Sequence, residues 1–239
     1  GAGADTITTN GGFDTIDGGA GDDEIRFEGN MSLSDSVDGG DGEDTVTATI
    51  GVATRQQIGT VENVEIGTFD FAAAGTLVVN GASYETINLT AGGGGVAVDV
   101  DDISTAINVD LEDDDITSVA LDYVAASTAN IDLGSGVSIT TFAVTDASTV
   151  NLNAVGTADS TITGATTLDA NDTTTVNITA AAAGAGLDID DAFSADDAET
   201  VTVTTSATNA HISADGVAFL GTADVLTSLT VTAGGDDDS

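Results

Sequence analysis

Gly18-Gly19-Ala20-Gly21-Asp22-Asp23-Glu24-Ile25-Arg26 and Gly39-Gly40-Asp41-Gly42-Glu43-Asp44-Thr45-Val46-Thr47 write the same phrase twice, Gly-Gly-x-Gly-x-Asp-x-apolar-x. Outward from these, the aspartate–apolar pair recurs at Asp5/Ile7, Asp14/Ile16 and Asp35/Val37. The first copy, 1–8, carries Gly1 and Gly3 and lacks only its leading glycine, as expected of a chain that starts inside a repeat. The second, 9–17, keeps Gly11, Gly12, Asp14 and Ile16. The fourth, 30–38, has no glycine, and the insertion Phe27-Glu28-Gly29 delays its Asp35 before Asp44 restores the beat. A generic acidic loop would not hold aspartate and apolar residue to a common period.

Each repeat divides into a turn and a strand. Glycines adopt positive backbone torsions without a Cβ penalty, so Gly-Gly-x-Gly folds tightly and aims carbonyl oxygens inward. The aspartate adds a carboxylate. Calcium takes six to eight hard oxygen ligands in irregular geometry, which such turns can supply. The triplet that follows is a short β-strand with one apolar side chain turned into the stack.

Composition limits the function classes. Two basic residues, Arg26 and Arg55, stand against 41 acids, for a formal net charge of -39. Nucleic-acid phosphates and anionic membrane surfaces would be repelled. Such charge opposes compaction, yet the chain is 41% hydrophobic, too apolar for simple disorder. Cations that complete the fold reconcile the two. Halving the charge would take about ten divalent ions, more than five short repeats provide, so further acidic sites or a counterion atmosphere are expected. Absent cysteine and proline fit a fold stapled by cations in place of disulfides. No apolar stretch is long enough to span a bilayer, and no basic, apolar-cored signal opens the chain.

From about Val61 the sequence alternates with period two and is rich in Thr, Val and Ala, hence strands. A second motif recurs there: VENVEI (61–66), YETINL (84–89), ITSVAL (116–121) and ITTFAV (139–144), with looser forms STVNL (148–152), TTVNI (174–178), AETVTV (198–203) and LTSLTV (226–231). These read as rungs of a solenoid, each burying one side against its neighbours. A β-sandwich is the competing architecture; it would call for more regular hairpin turns and more aromatic core than seven Phe and two Tyr. Helical periodicity is confined to a weak stretch at 190–198. Asp99, Asp101 and Asp102, then Asp110 and Glu112 to Asp115, then Asp188, Asp190, Asp191, Asp196, Asp197 and Glu199 are further cation sites in rung-connecting loops or else solvated acidic faces. The terminal 234–239 reads as a truncated repeat or a tail.

Catalysis has little to work with. His211 is the single histidine, in a strand-like setting that reads as structural, and no Cys/His zinc constellation or lysine-ended phosphate loop exists. Arg26 ends a good repeat and Arg55 follows the last one, without a recognisable catalytic setting. No carboxylate pair is singled out for glycoside hydrolysis. The expectation is that this is no enzyme.

The phrases GAGADTIT, GGAGDDEIR and GGDGEDTVT resemble the repeats-in-toxin (RTX) family of secreted calcium-binding proteins. That resemblance implies an all-β fold: a parallel β-roll over 1–50, with ions between turns of successive coils, continuing into a β-solenoid over 51–239. It implies carboxylate ligands at Asp5, Asp14, Asp23 and Asp44, with Asp35 set apart by its glycine-free turn. Backbone ligands would come from the turns holding Gly1, Gly3, Gly12, Gly19, Gly21, Gly40 and Gly42. The remainder is similar to Caulobacter-type surface-layer proteins of the same family, which carry segments like VENVEI, YETINL and AETVTV. The implied function is a structural component of a calcium-dependent extracellular bacterial assembly. It would associate with like protomers, and parts outside this chain would reach a cell-surface glycan or lipopolysaccharide. The family's type I secretion signal would lie at the far C-terminus of a larger protein. A segment of a calcium-dependent adhesin, or the carrier region of a secreted enzyme or toxin, stays open as an alternative.

Overall fold

The protein is described by a computed structural model that places residues 1–29, 31–51, 55–79, 82–104, 107–164, 166–168, 173–180, 183–184, 186–189, 193–195, 198–206, 210–214 and 228–233. The described residues are all-β and contain no helix. Every strand pair is parallel, and the chain winds as a β-solenoid. Of the helix-like stretch 190–198, Phe193–Ser194 is a strand, while 190–192 and 196–197 lie outside the described residues, as does the tail 234–239. Parallel pairing throughout removes the sandwich alternative, since a sandwich is built from antiparallel hairpins.

One sheet passes from Thr6–Thr9 through Glu24–Phe27, Thr45–Ile50, Ile66–Phe71, Thr86–Ala91 and Asn108–Leu111 to Ser228–Ala233. It crosses residue 50 without a break: Thr45–Ile50 pairs with Ile66–Phe71 over its whole length. Along this sheet one inward column reads Ile7, Ile25, Val46, Gly67, Ile87, Val109, Ile131, Leu152, Ile178 and Val203. The residues of this column from Ile25 to Ile178 are fully buried aliphatics apart from Gly67 and near-buried Leu152. No single rung could bury its apolar side alone, so the stack is the core. At Gly67 the column is filled from the side: a Cβ there would lie 2.7 Å from Cε2 of Phe69, whose ring meets Tyr84 edge-on at 5.8 Å and 79°.

The coil length explains the phase break seen in the sequence. The first coil spans 18 residues, Asp5 to Asp23, which is two beats of nine. The next two span 21, Asp23 to Asp44 and Asp44 to Glu65, so the three-residue insertion lengthens one half-turn and the coil after it has the same length. By Asn151 to Asn177 a coil takes 26.

The second motif resolves into two faces. TINL of YETINL, TVNL, TVNI and TVTV stack on the main sheet, where their outward asparagines form a ladder: Asn177 donates to Asn151 at 2.8 Å and Asn151 to Asn130 at 2.7 Å. ITSVAL and ITTFAV stack on a different face, with Val119 against Phe142 and Leu121 against Val144. VENVEI is no single rung: Glu62 ends one strand and Ile66 starts another, with Asn63 turning the corner at φ 52°.

Candidate metal centre

The repeat aspartates form two columns, one at each edge of the coil. In the first column the backbone N–H of Asp5 donates to Asp23 Oδ1 at 2.7 Å, that of Asp23 to Asp44 Oδ1 at 2.7 Å, and that of Asp44 to Glu65 Oε2 at 2.8 Å. In the second, Asp14 N–H donates to Asp35 Oδ1 at 2.9 Å. Each carboxylate thus ties its coil to the previous one through a charge-assisted hydrogen bond.

The columns differ in what is left over. Asp23 and Asp44 are 2% and 0% exposed, and the second oxygen of each, Oδ2, is buried and accepts no hydrogen bond. Leaving a buried acceptor unsatisfied costs about 1–3 kcal/mol, and more when it is charged. In the second column both oxygens of Asp35 and one of Asp14 are taken: Ser32 N–H donates to Asp35 Oδ2 at 2.6 Å, and Thr9 Oγ1 to Asp14 Oδ2 at 2.5 Å. That column stops at Gly59, which sits beside Asp35 in the register and carries no ligand.

Glycine makes room for the free oxygens. A Cβ on Gly18 would lie 2.6 Å from Asp23 Oδ2 and inside contact with the Gly39 carbonyl oxygen. A Cβ on Gly39 would lie 2.6 Å from Asp44 Oδ2 and inside contact with the Asn63 carbonyl oxygen. A carboxylate oxygen of one coil and a carbonyl oxygen of the next therefore converge beside each glycine. Gly1, Gly19 and Gly40 stack in one register column and Gly3, Gly21 and Gly42 in another, and Gly19 and Gly40 hold φ of 108° and 106°. Gly12 turns the chain beside Asp14, with open space where a Cβ would be.

The electrostatics follow from this crowding. Burial, then the neighbouring carboxylates of Asp23, Glu65 and Asp22, push the Asp44 carboxyl above its ordinary range, against the bond it accepts from Asp23 N–H. Oxygen-only ligands, negative charge and unsatisfied lone pairs are the donor set of a hard divalent cation, so the first column fits one. Exposed Asp5 opens that column and Glu65 extends it.

Glu65 does not stand out in the sequence because VENVEI reads as a rung and Gly67 stands where the repeat expects an apolar residue. The available signal was spacing, since Glu65 follows Asp44 by the same 21 residues that separate Asp23 from Asp44. Other predicted acids land elsewhere. Asp99, Asp101 and Asp102 belong to the strand Val96–Ile103, not to a loop; Asp101 and Asp102 pair with Arg55, the latter at 3.9 Å. Arg26 pairs with Glu24 at 2.7 Å on the surface, away from the turns. Asp110 and Asp188 are strand residues too. Asp190, Asp191, Asp196 and Asp197 lie outside the described residues. Among the described residues, two groups bring three ionisable ligands within 4.8 Å and could hold a metal ion: Asp113 with Asp114 and Asp115, and Asp159 with Asp188 and His211. Comparison with protein-family models, with curated proteins and with solved structures finds no match to this chain.

Proposed function

We propose that this chain is a structural module of a calcium-dependent extracellular bacterial assembly, a surface layer or a related sheet or filament, and that calcium at the first aspartate column completes its fold. The observation that carries the reading is the pair of buried, unsatisfied oxygens, Asp23 Oδ2 and Asp44 Oδ2, in a chain of formal net charge -39. Asp5, Asp23, Asp44 and Glu65, with carbonyls of the Gly39 and Asn63 turns, would hold the ions. Asp14 and Asp35 would serve the second column, with their carboxylates already tied to the chain. Calcium supplies positive charge where the coils stack acid upon acid. Without it, repulsion opposes closure of the turns, and the chain stays loose enough for export. With it, binding free energy becomes folding free energy. The same ions would bridge acidic faces between like protomers.

The test is a calcium titration followed by circular dichroism and hydrodynamic radius, then electron microscopy at millimolar calcium. The expected result is compaction with gain of β-structure, reversed by EGTA, and ordered arrays. A radius indifferent to EGTA would sink the folding role; monomers alone at millimolar calcium would sink the assembly.

A further inference from the structure

We propose that Asp159, Asp188 and His211 form a second kind of metal site, one that takes a borderline divalent cation such as zinc in preference to calcium and ties three successive coils of the C-terminal half. The proposal does not depend on the calcium reading of the aspartate columns.

The register builds the site. The strands Ser160–Ile162, Gly186–Ile189 and His211–Ala214 stack in parallel, with Ser160 opposite Leu187 and Gly186 opposite His211. Asp159, Gly186 and His211 therefore share one column, and Thr161, Asp188 and Ser213 the column two residues further on. Residues two apart on a strand point to the same side. Three coils thus contribute one ligand each to a single face.

Gly186 is the centre of this arrangement. A Cβ there would overlap Asp159 Oδ1 and His211 Cε1 and lie 2.8 Å from His211 Nε2. The middle rung gives up its side chain, and those above and below lean into the space. Asp188 approaches from the side, held by the Ser213 hydroxyl, which donates to its Oδ1. That oxygen is also the one nearest His211 Nε2, and a carboxylate oxygen that accepts one hydrogen bond keeps a second lone pair for an ion.

Distances and donor types point the same way. His211 Nε2 lies 3.5 Å from Asp188 Oδ1 and 3.8 Å from Asp159 Oδ1. Both exceed hydrogen-bond length. Two ligands of one tetrahedral ion with bonds near 2.1 Å stand about 3.4 Å apart, close to the spacing seen. One imidazole nitrogen and two carboxylates suit zinc and its first-row neighbours, whereas calcium selects oxygen alone. All three side chains are partly open to solvent, so water can complete the shell.

The single histidine of the chain makes the test direct, because its imidazole is one spin system. Nitrogen-15 NMR of the full chain in saturating calcium, titrated with zinc, should show one equivalent shifting the His211 Nε2 resonance while excess calcium leaves it in place. His211→Ala and Asp188→Asn should weaken that equivalent at least tenfold by calorimetry, with the calcium-dependent circular dichroism unchanged. An imidazole resonance that ignores zinc would overturn the proposal, leaving a histidine beside two carboxylates. A resonance shifted equally by calcium, or full zinc stoichiometry in His211→Ala, would overturn it in favour of a generic acidic surface. The wild-type titration decides even if a variant fails to fold.

Discussion

Asp23 donates its backbone N–H to Asp44 Oδ1 at 2.7 Å, one coil away, and the other oxygen of that same carboxylate is buried without a partner. The hydrogen bond fixes the carboxylate; the leftover oxygen is free to meet a cation. Structure and charge are joined in one side chain.

Asp23→Asn and Asp44→Asn should each weaken calcium-dependent folding by at least about tenfold, since each removes a charged ligand with no other task for Oδ2. Asp35→Asn should act differently. Both its oxygens accept backbone N–H bonds, so an amide nitrogen in one position costs stability of about 1–2 kcal/mol at any calcium concentration. Calcium titrations of urea unfolding separate the two classes, and equal calcium dependence in all three variants would refute the distinction between columns.

Glu65→Gln should lower calcium affinity several-fold and leave the calcium-free circular dichroism unchanged. Its amide oxygen can still accept from Asp44 N–H, so only the charge at the end of the column is lost. Isothermal titration calorimetry reads this directly.

Protons should substitute in part for the cation. The folded-state pKa of Asp44 is raised by burial and by Asp23 and Glu65, so its ionised form opposes folding and its protonated form does not. In EGTA, the chain should therefore gain compactness as the pH falls from neutral through that raised pKa. Calcium affinity should fall over the same window. Hydrodynamic radius against pH, with and without calcium, measures both.

Asp110 offers an independent check away from the repeats. Its carboxyl is pushed up to about 6 by burial, then by Asp132 on the next rung and by Glu112. The folded pKa exceeds the unfolded one, so the charged group costs stability fully above pH 6, and the cost vanishes toward pH 4. Asp110→Asn should raise stability at pH 7 by about 1 kcal/mol, after discounting for partial solvent screening, and change nothing at pH 4. Thermal unfolding at the two pH values in saturating calcium shows the difference.

Gly67→Val would restore the apolar column that the repeat pattern expects, yet it should destabilise by about 1–3 kcal/mol. The ring of Phe69 already occupies that space, 2.7 Å from where a Cβ would stand. Urea denaturation would detect the loss, and a stabilised variant would show that the ring can swing away.

Much of the fold could be read from local chemistry. Gly-Gly-x-Gly demands a turn and Thr-Val-Thr a strand, so Gly39 to Thr47 declares its own conformation. Alternation with period two from Val61 excluded helices for the same local reason, and stacking was implied because one rung cannot bury itself. What stayed hidden depended on the register. Glu65 joins the aspartate column only because the coil after Asp44 again spans 21 residues, and a motif that looks uniform, YETINL beside ITSVAL, serves two different faces.

By itself, then, the sequence pointed to stacked β-rungs opening with glycine turns, with a β-sandwich still open, to aspartates at a regular beat, and to a net charge of -39 that opposes compaction. The tertiary structure alone decided which carboxylate oxygens remain free, that Asp23 and Asp44 differ from Asp14 and Asp35, and that His211 meets Asp159 and Asp188 around Gly186. The reason is physical. Turn and strand preferences act between neighbours in the chain, whereas hydrogen-bond satisfaction and ligand convergence act between coils, at sequence separations that vary from 18 to 28 residues.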